Sequence, residues 1–145
     1  MYTIGQVSDI FNIPISTLRY YDKEGLFPYL KRSGNIRKFS DSELEAIGII
    51  ECLKKSGLEI REIKQFFRWV EEGSSTYSDR KRLFELRKAA VEEEISNLQK
   101  TLAMLEFKCW YYQQALTDGN EDRLKEMIPD NLPAEIQRLY DKAHE

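Results

Sequence analysis

The chain has 145 residues, 41% of them hydrophobic and 32% charged, with a net charge of −3. Charge above the ~25% of an ordinary globular chain, with only seven Gly and four Pro, excludes a turn-rich sandwich or barrel and points to much solvent-facing helix. No apolar run approaches the ~18 residues of a membrane span, Met1-Tyr2-Thr3-Ile4 does not begin a signal peptide, and two cysteines 57 positions apart form neither a disulfide framework nor a metal cluster. The expectation is a cytoplasmic, mainly α protein without a membrane partner, metal or cofactor.

An acidic balance argues against nucleic acid until the charge is divided along the chain. Residues 19–38 hold Arg19, Lys23, Lys31, Arg32, Arg37 and Lys38 against Asp22 and Glu24, a local charge of +4. Such a stripe, rather than the whole-chain charge, is the electrostatic footprint of phosphate contact.

The first helix signal is Thr3-x-x-Gln6, a capping box, followed by Ile4, Val7 and Phe11 at helical spacing. Asn12-Ile13-Pro14 interrupts, and a second helix runs from about Ile15 until Gly25 stops it. Two short helices on a tight turn predict a helix-turn-helix. Projected at 100° per residue, Ser16, Arg19, Tyr20 and Lys23 share one face of the second helix, with Leu18 and Tyr21 pointing the other way. A recognition helix needs this arrangement: polar tips for base edges, as in a bidentate Arg19–guanine contact, and cations for phosphates. The competing reading is an ordinary solvated face; the helix's place in a helix-turn-helix followed by a basic hairpin favours DNA.

Lys31-Arg32 and Ile36-Arg37-Lys38-Phe39 flank Ser33-Gly34-Asn35 and predict that hairpin, with Asn35 at its tip. As a wing it would lie along the DNA backbone or minor groove; taken alone it serves equally as an edge ribbon kept from aggregating by its cations. Ser40-x-x-Glu43 opens a third helix carrying Leu44, Ile47, Ile50 and Leu53 and ending at Gly57. A fourth helix places Ile60, Ile63, Phe67 and Val70 on one face and closes at Gly73.

Gly73-Ser74-Ser75-Thr76 marks a boundary. Beyond it Val91, Ile95, Leu98, Leu102, Leu105, Cys109, Tyr112 and Leu116 recur in alternating steps of 4 and 3, a heptad seam that needs a partner helix. A helix from about Asp79 to Leu116 would be roughly 55 Å long, too long to bury itself on a small domain, so homodimerisation through a coiled coil is expected. The predicted organisation is a DNA-binding domain over 1–73, a linker over 74–78, a dimerisation helix over 79–118 and a short tail over 119–145. The tail is too small for an independent ligand-binding domain and is expected to pack on the dimer.

Tyr2-Thr3-Ile4-Gly5-Gln6-Val7, Thr17-Leu18-Arg19-Tyr20-Tyr21-Asp22, Gly25-Leu26, Arg37-Lys38-Phe39 and Leu53-Lys54-Lys55-Ser56-Gly57-Leu58 leading to Ile60-Arg61-Glu62-Ile63 together resemble the signature of the MerR family of bacterial transcription regulators. The resemblance covers about residues 2–72. It implies an N-terminal winged helix-turn-helix and an antiparallel dimerisation coiled coil; the short helical tail is read from Pro133, which can open a last helix carrying Ile136, Leu139 and Tyr140. The resemblance implies also a homodimer on a palindromic promoter, where distortion of an overlong spacer brings two polymerase-recognition elements into register for RNA polymerase. By the resemblance Arg19, Tyr20 and Lys23 would contact DNA from the helix, and Arg37 with its basic neighbours from the wing; together with the helix and hairpin readings above, the candidate DNA-binding set is Ser16, Thr17, Arg19, Tyr20, Lys23, Lys31, Arg32, Asn35, Arg37 and Lys38. Two departures concern the contacts: Pro14 stands where a serine-like cap often begins the recognition helix, and Asn35-Ile36-Arg37 replaces the commoner Gly-Tyr-Arg.

Metal-sensing relatives place cysteines at the start of the long helix and in the loop after it. Here those places read Ser74-Ser75-Thr76 and Leu116–Asn120, without Cys or His. Cys109 on the seam reads as a small buried hydrophobe. Cys52, in Glu51-Cys52-Leu53-Lys54, has divided local chemistry: Lys54 and Lys55 favour a thiolate, while Glu51 and the negative helix end oppose it. Glu51–Gly57 with Lys108-Cys109-Trp110-Tyr111-Tyr112 resembles the aldehyde- and nitrosative-stress branch of the family, which implies electrophile sensing at Cys52. The alternative effector is a small hydrophobic ligand held between the Phe107, Trp110, Tyr111 cluster and the partner's DNA-binding domain. A non-DNA coiled-coil interaction module is the competing class. An enzyme lacks support: the sole histidine, His144, is next to the last residue, and no nucleophile–base pair or phosphate-cradling loop is evident.

Overall fold

A computed structural model describes all 145 residues. Its order is α1 (Ile4–Phe11), α2 (Ile15–Lys23), β1 (Lys31–Ser33), β2 (Ile36–Lys38), α3 (Asp41–Lys55), α4 (Ile60–Glu72), a single 3₁₀ turn (Ser74–Thr76), α5 (Tyr77–Asp118), α6 (Asp122–Met127) and α7 (Ala134–Ala143). The fold is mainly helical, a helix-turn-helix with a two-stranded wing and a long helix. No helix is long and apolar enough to cross a membrane. The chain forms two compact units, Met1–Lys88 and Ala89–Glu145, and the division falls within α5.

In the first unit, local chemistry sets the helix starts. Thr3 Oγ1 accepts from the Gln6 amide at 3.2 Å while Gln6 Oε1 accepts from the Thr3 amide at 2.9 Å, so two otherwise orphaned donors are satisfied reciprocally. Ser40 and Glu43 repeat the box at α3, and Glu59 with Glu62 builds a third at α4 that the sequence did not advertise, since glutamate is an unusual cap. Asn12, at φ 53°, makes the left-handed turn that ends α1. Pro14 begins α2 with no side-chain cap; its φ is fixed at −58°, and its carbonyl accepts from the Thr17 and Leu18 amides.

Val7, Leu18, Tyr21, Phe39, Ile47, Ile50, Leu53 and Ile63 form the fully buried heart of this unit. On α4 the buried residues are Ile63 and Phe66; Phe67 is half-buried and Val70 exposed, which corrects the expected stripe. The stripe turns because Phe66 meets Phe84 of α5 edge-on, ring centroids 5.6 Å apart. The compact unit therefore extends past Gly73 into α5. Arg80 donates to the Trp69 and Gly73 carbonyls, Thr76 Oγ1 donates to the same two, and Arg87 Nε donates to the Ser56 carbonyl at 2.7 Å, capping α3.

The second unit has its own core of Phe107, Tyr111, Leu124 and Leu132, with Met104, Trp110 and Tyr140 against it. Phe107 and Tyr140 meet edge-on at 5.3 Å. The tail thus packs on α5 of its own chain, and the aromatic cluster expected to serve a dimer or a ligand pocket is occupied by α6 and α7. The other face of α5 is bare: Leu98 is 68% exposed and Leu116 79%, with Leu102, Leu105, Cys109 and Tyr112 exposed between them and Ile95 exposed one turn before.

Candidate nucleic-acid interface

The recognition face follows from which side of α2 the core claims. Leu18 and Tyr21 are buried, which turns Ser16, Arg19, Tyr20 and Lys23 outward and leaves Thr17 half-buried beside them. Tyr21 is fixed from two sides: its hydroxyl donates to Glu51 Oε1 at 2.7 Å and accepts from Lys54 Nζ at 2.6 Å, both on α3. Burial first, and then the bond to Glu51, hold the phenol pKa well above its ordinary value of 10, so the proton stays on the tyrosine at every physiological pH. Lys64 Nζ on α4 reaches Glu24 at 3.1 Å, bracing the end of the same helix.

β1 and β2 pair antiparallel in the register Lys31↔Lys38, Arg32↔Arg37 and Ser33↔Ile36, leaving Gly34-Asn35 as a two-residue turn with Gly34 at φ 65°. The base of the wing is anchored: Tyr2 and Phe39 exchange backbone hydrogen bonds of 2.7 and 2.8 Å, and Phe39 is buried edge-on against Phe27, 5.6 Å away. Lys31 and Asn35 are exposed, and Lys38 is half-buried.

The cations fall into two groups. Arg19, Lys23, Lys31 and Lys38 have no ion-pair partner in the chain. Arg32 and Arg37 are both bonded to one carboxylate oxygen of Asp22, Arg37 through Nε at 2.8 Å. Sequence reasoning missed Asp22, Glu51 and Lys54. Asp22 had a signal: a two-residue turn at Gly34-Asn35 sets Arg32 opposite Arg37, and two facing guanidinium groups call for an anion between them.

Cys52 is exposed on α3, next in sequence to Glu51, the acceptor of the Tyr21 hydroxyl. A cavity of about 420 Å³ lies in the same unit, lined by Phe27, Tyr29, Ile49 and Phe67 among others. It is far along the chain from Phe107, Trp110 and Tyr111.

Residues 2–68 match the family model described as MerR HTH family regulatory protein, and residues 44–106 match that described as MerR, DNA binding. An uncharacterized HTH-type transcriptional regulator of Haemophilus influenzae is 36% identical over 121 residues, which span 82% of this chain and 89% of that protein. The transcriptional regulator AdhR of Bacillus subtilis is 33% identical over 81 residues, 55% of this chain and 58% of its own. Among solved structures, HiNmlR, described as a MerR family regulator lacking the sensor domain and bound to promoter DNA, superposes with a TM-score of 0.76 at 33% identity, covering 91% of this chain and 98% of that one. A MerR family regulator from Bacillus thuringiensis gives 0.64 at 41% identity over 74% of this chain and 96% of its own.

Proposed function

This chain belongs to the MerR family of DNA-binding transcription regulators, and from that premise we propose that it acts as a homodimer on a palindromic promoter. Recognition is by α2, with Ser16, Thr17, Arg19, Tyr20 and Lys23 in the major groove, and by the wing, with Lys31, Arg32, Asn35, Arg37 and Lys38 along the flanking backbone. The observation that carries this reading is the outward face of α2, where Arg19 and Lys23 stand without partners beside a basic wing. The likeness to a regulator solved on promoter DNA supports the same assignment.

The partner for dimerisation is a second copy of α5, whose seam repeats at heptad spacing from a half-buried Val91 and is exposed from Ile95 to Leu116. Two copies present the +4 stripe twice, and the spacing between them sets which half-sites are bound together. Activation follows when the dimer favours a bent, untwisted spacer that RNA polymerase can engage; an effector that binds or modifies the activating state more favourably shifts that balance. Gel shifts on the protein's own promoter with Arg19→Ala and Arg37→Ala test the assignment. Both are expected to weaken binding, and unchanged binding by both removes it.

The effector we assign is an electrophile such as an aldehyde, acting at Cys52. Its support is the exposure of Cys52 and its adjacency to Glu51, the residue to which the recognition-helix tyrosine donates. An adduct there adds bulk on the exposed side of α3, beside Glu51, and its effect reaches α2 through the Glu51–Tyr21 bond without a ligand pocket. A reporter driven by the protein's own promoter should respond to aldehyde with the wild-type chain and not with Cys52→Ser. A normal response from that variant contradicts the assignment.

A further inference from the structure

We propose that Asp22 is a positioning residue for DNA recognition: it clamps the wing to the recognition helix through Arg32 and Arg37 and so fixes the angle between the two DNA-reading elements. The inference rests on the DNA interface proposed above and adds a residue that carries the wrong charge for DNA.

The wing is poorly equipped to hold its own shape. Each strand has three residues, the strands are exposed along β1, and an isolated two-stranded hairpin of this size is marginal in water. Its central cross-strand pair is Arg32↔Arg37, like charges directly opposite, which destabilises a ladder unless an anion lies between them. Asp22 is that anion. Its Oδ2 accepts from Arg32 Nη2 and from Arg37 Nε, and its side chain is only 10% exposed, a setting where charge-assisted bonds are shielded from solvent. Arg37, at 23% exposure, is the more committed arm; Arg32, at 48%, keeps guanidinium nitrogens free for a phosphate.

Asp22 lies one turn beyond Arg19 and next to Lys23, on the helix that presents the reading face. The wing is otherwise attached to the domain at its base, through Leu30, Phe39 and the Tyr2 bridge. A second attachment halfway along its length converts a hinged ribbon into a fixed one. A carboxylate beside a DNA surface opposes phosphate binding, so charge alone and the clamp make opposite predictions for its removal.

The test uses the full chain, a duplex that the wild type selects from a random-sequence pool, and an unrelated duplex of equal length. Asp22→Asn keeps the side-chain volume and removes the charge. The clamp predicts at least tenfold weaker binding to the selected duplex, unchanged or tighter binding to the unrelated one, and faster amide exchange over Arg32–Lys38. In an Arg37→Ala background, where the main arm is already gone, Asp22→Asn should cost less than half as much. Unchanged or tighter binding to the selected duplex, or full additivity with Arg37→Ala, overturns the proposal. Loss of helicity in Asp22→Asn overturns it too, because the pair would then hold the fold rather than aim the wing. Arg19→Ala separates the two readings: if it weakens selected-duplex binding while Asp22→Asn does not, only the clamp fails, and if neither does, the DNA interface itself fails.

Discussion

The two compact units solve the same packing problem and expose opposite chemistry. Each is cross-linked by a buried tyrosine whose hydroxyl donates to a glutamate at 2.7 Å, Tyr21 to Glu51 in the first and Tyr111 to Glu121 in the second. Each stacks aromatic rings edge-on around that tyrosine or its neighbours. Yet the first unit turns out a polar, cationic face on α2 and the wing, while the second turns out a row of leucines along α5. A face of unpaired cations suits a phosphate backbone, and a bare heptad seam suits another helix of the same kind. By our proposal, that difference gives the first unit DNA as its partner and the second unit another copy of itself.

Removing the second core should have the largest effect. Phe107 is 1% exposed at its centre, and Phe107→Ala should cost about 3–5 kcal/mol, read as a lowered urea midpoint and protease release of α6–α7. On the opposite face of the same helix, Leu102→Glu should convert dimer to monomer by light scattering while leaving the monomer's helicity intact. A retained dimer would take the seam out of the account. In the first unit, Arg19→Ala should cost about 1–3 kcal/mol of binding to the selected duplex, with unfolding unchanged, because the side chain holds nothing within the chain.

Smaller effects sharpen the parallel between the two tyrosines. Tyr21→Phe should cost about 1 kcal/mol, the net worth of a hydrogen bond, measured by denaturant titration. For Tyr111 the bond to Glu121, then burial, pushes the phenol pKa from 10.0 up to about 12. A raised pKa favours the protonated folded state. That stabilisation is complete below the unfolded value near 10 and is lost as pH rises toward 12. Thermal midpoints of the wild type should therefore fall more steeply between those pH values than midpoints of Tyr111→Phe.

The sequence made some of this legible and hid the rest for identifiable reasons. Thr3/Gln6 and Ser40/Glu43 act within four residues, so the caps were readable, as were the outward face of α2 from its 3.6-residue period and the wing turn from Gly34. The Asp22–Arg37 pair spans 15 residues and the Tyr21–Glu51 bond 30, distances at which only tertiary packing decides who meets whom. The second core was hidden by a stronger pattern. The seam at Leu98, Leu102 and Leu105 already makes one apolar face, although Ala103, Phe107 and Tyr111, four residues apart, mark a second one. A helix that is apolar on two faces needs two partners, here the tail on one side and, by our proposal, a second chain on the other.

The central claim, a dimer reading DNA through paired α2 helices, is tested most directly by a hydroxyl-radical footprint of the wild-type chain on the duplex it selects. The account predicts two protected half-sites related by two-fold symmetry, with centres separated by a whole number of turns of about 10–10.5 base pairs. One unsymmetrical protected patch, or no sequence selected at all, would contradict it.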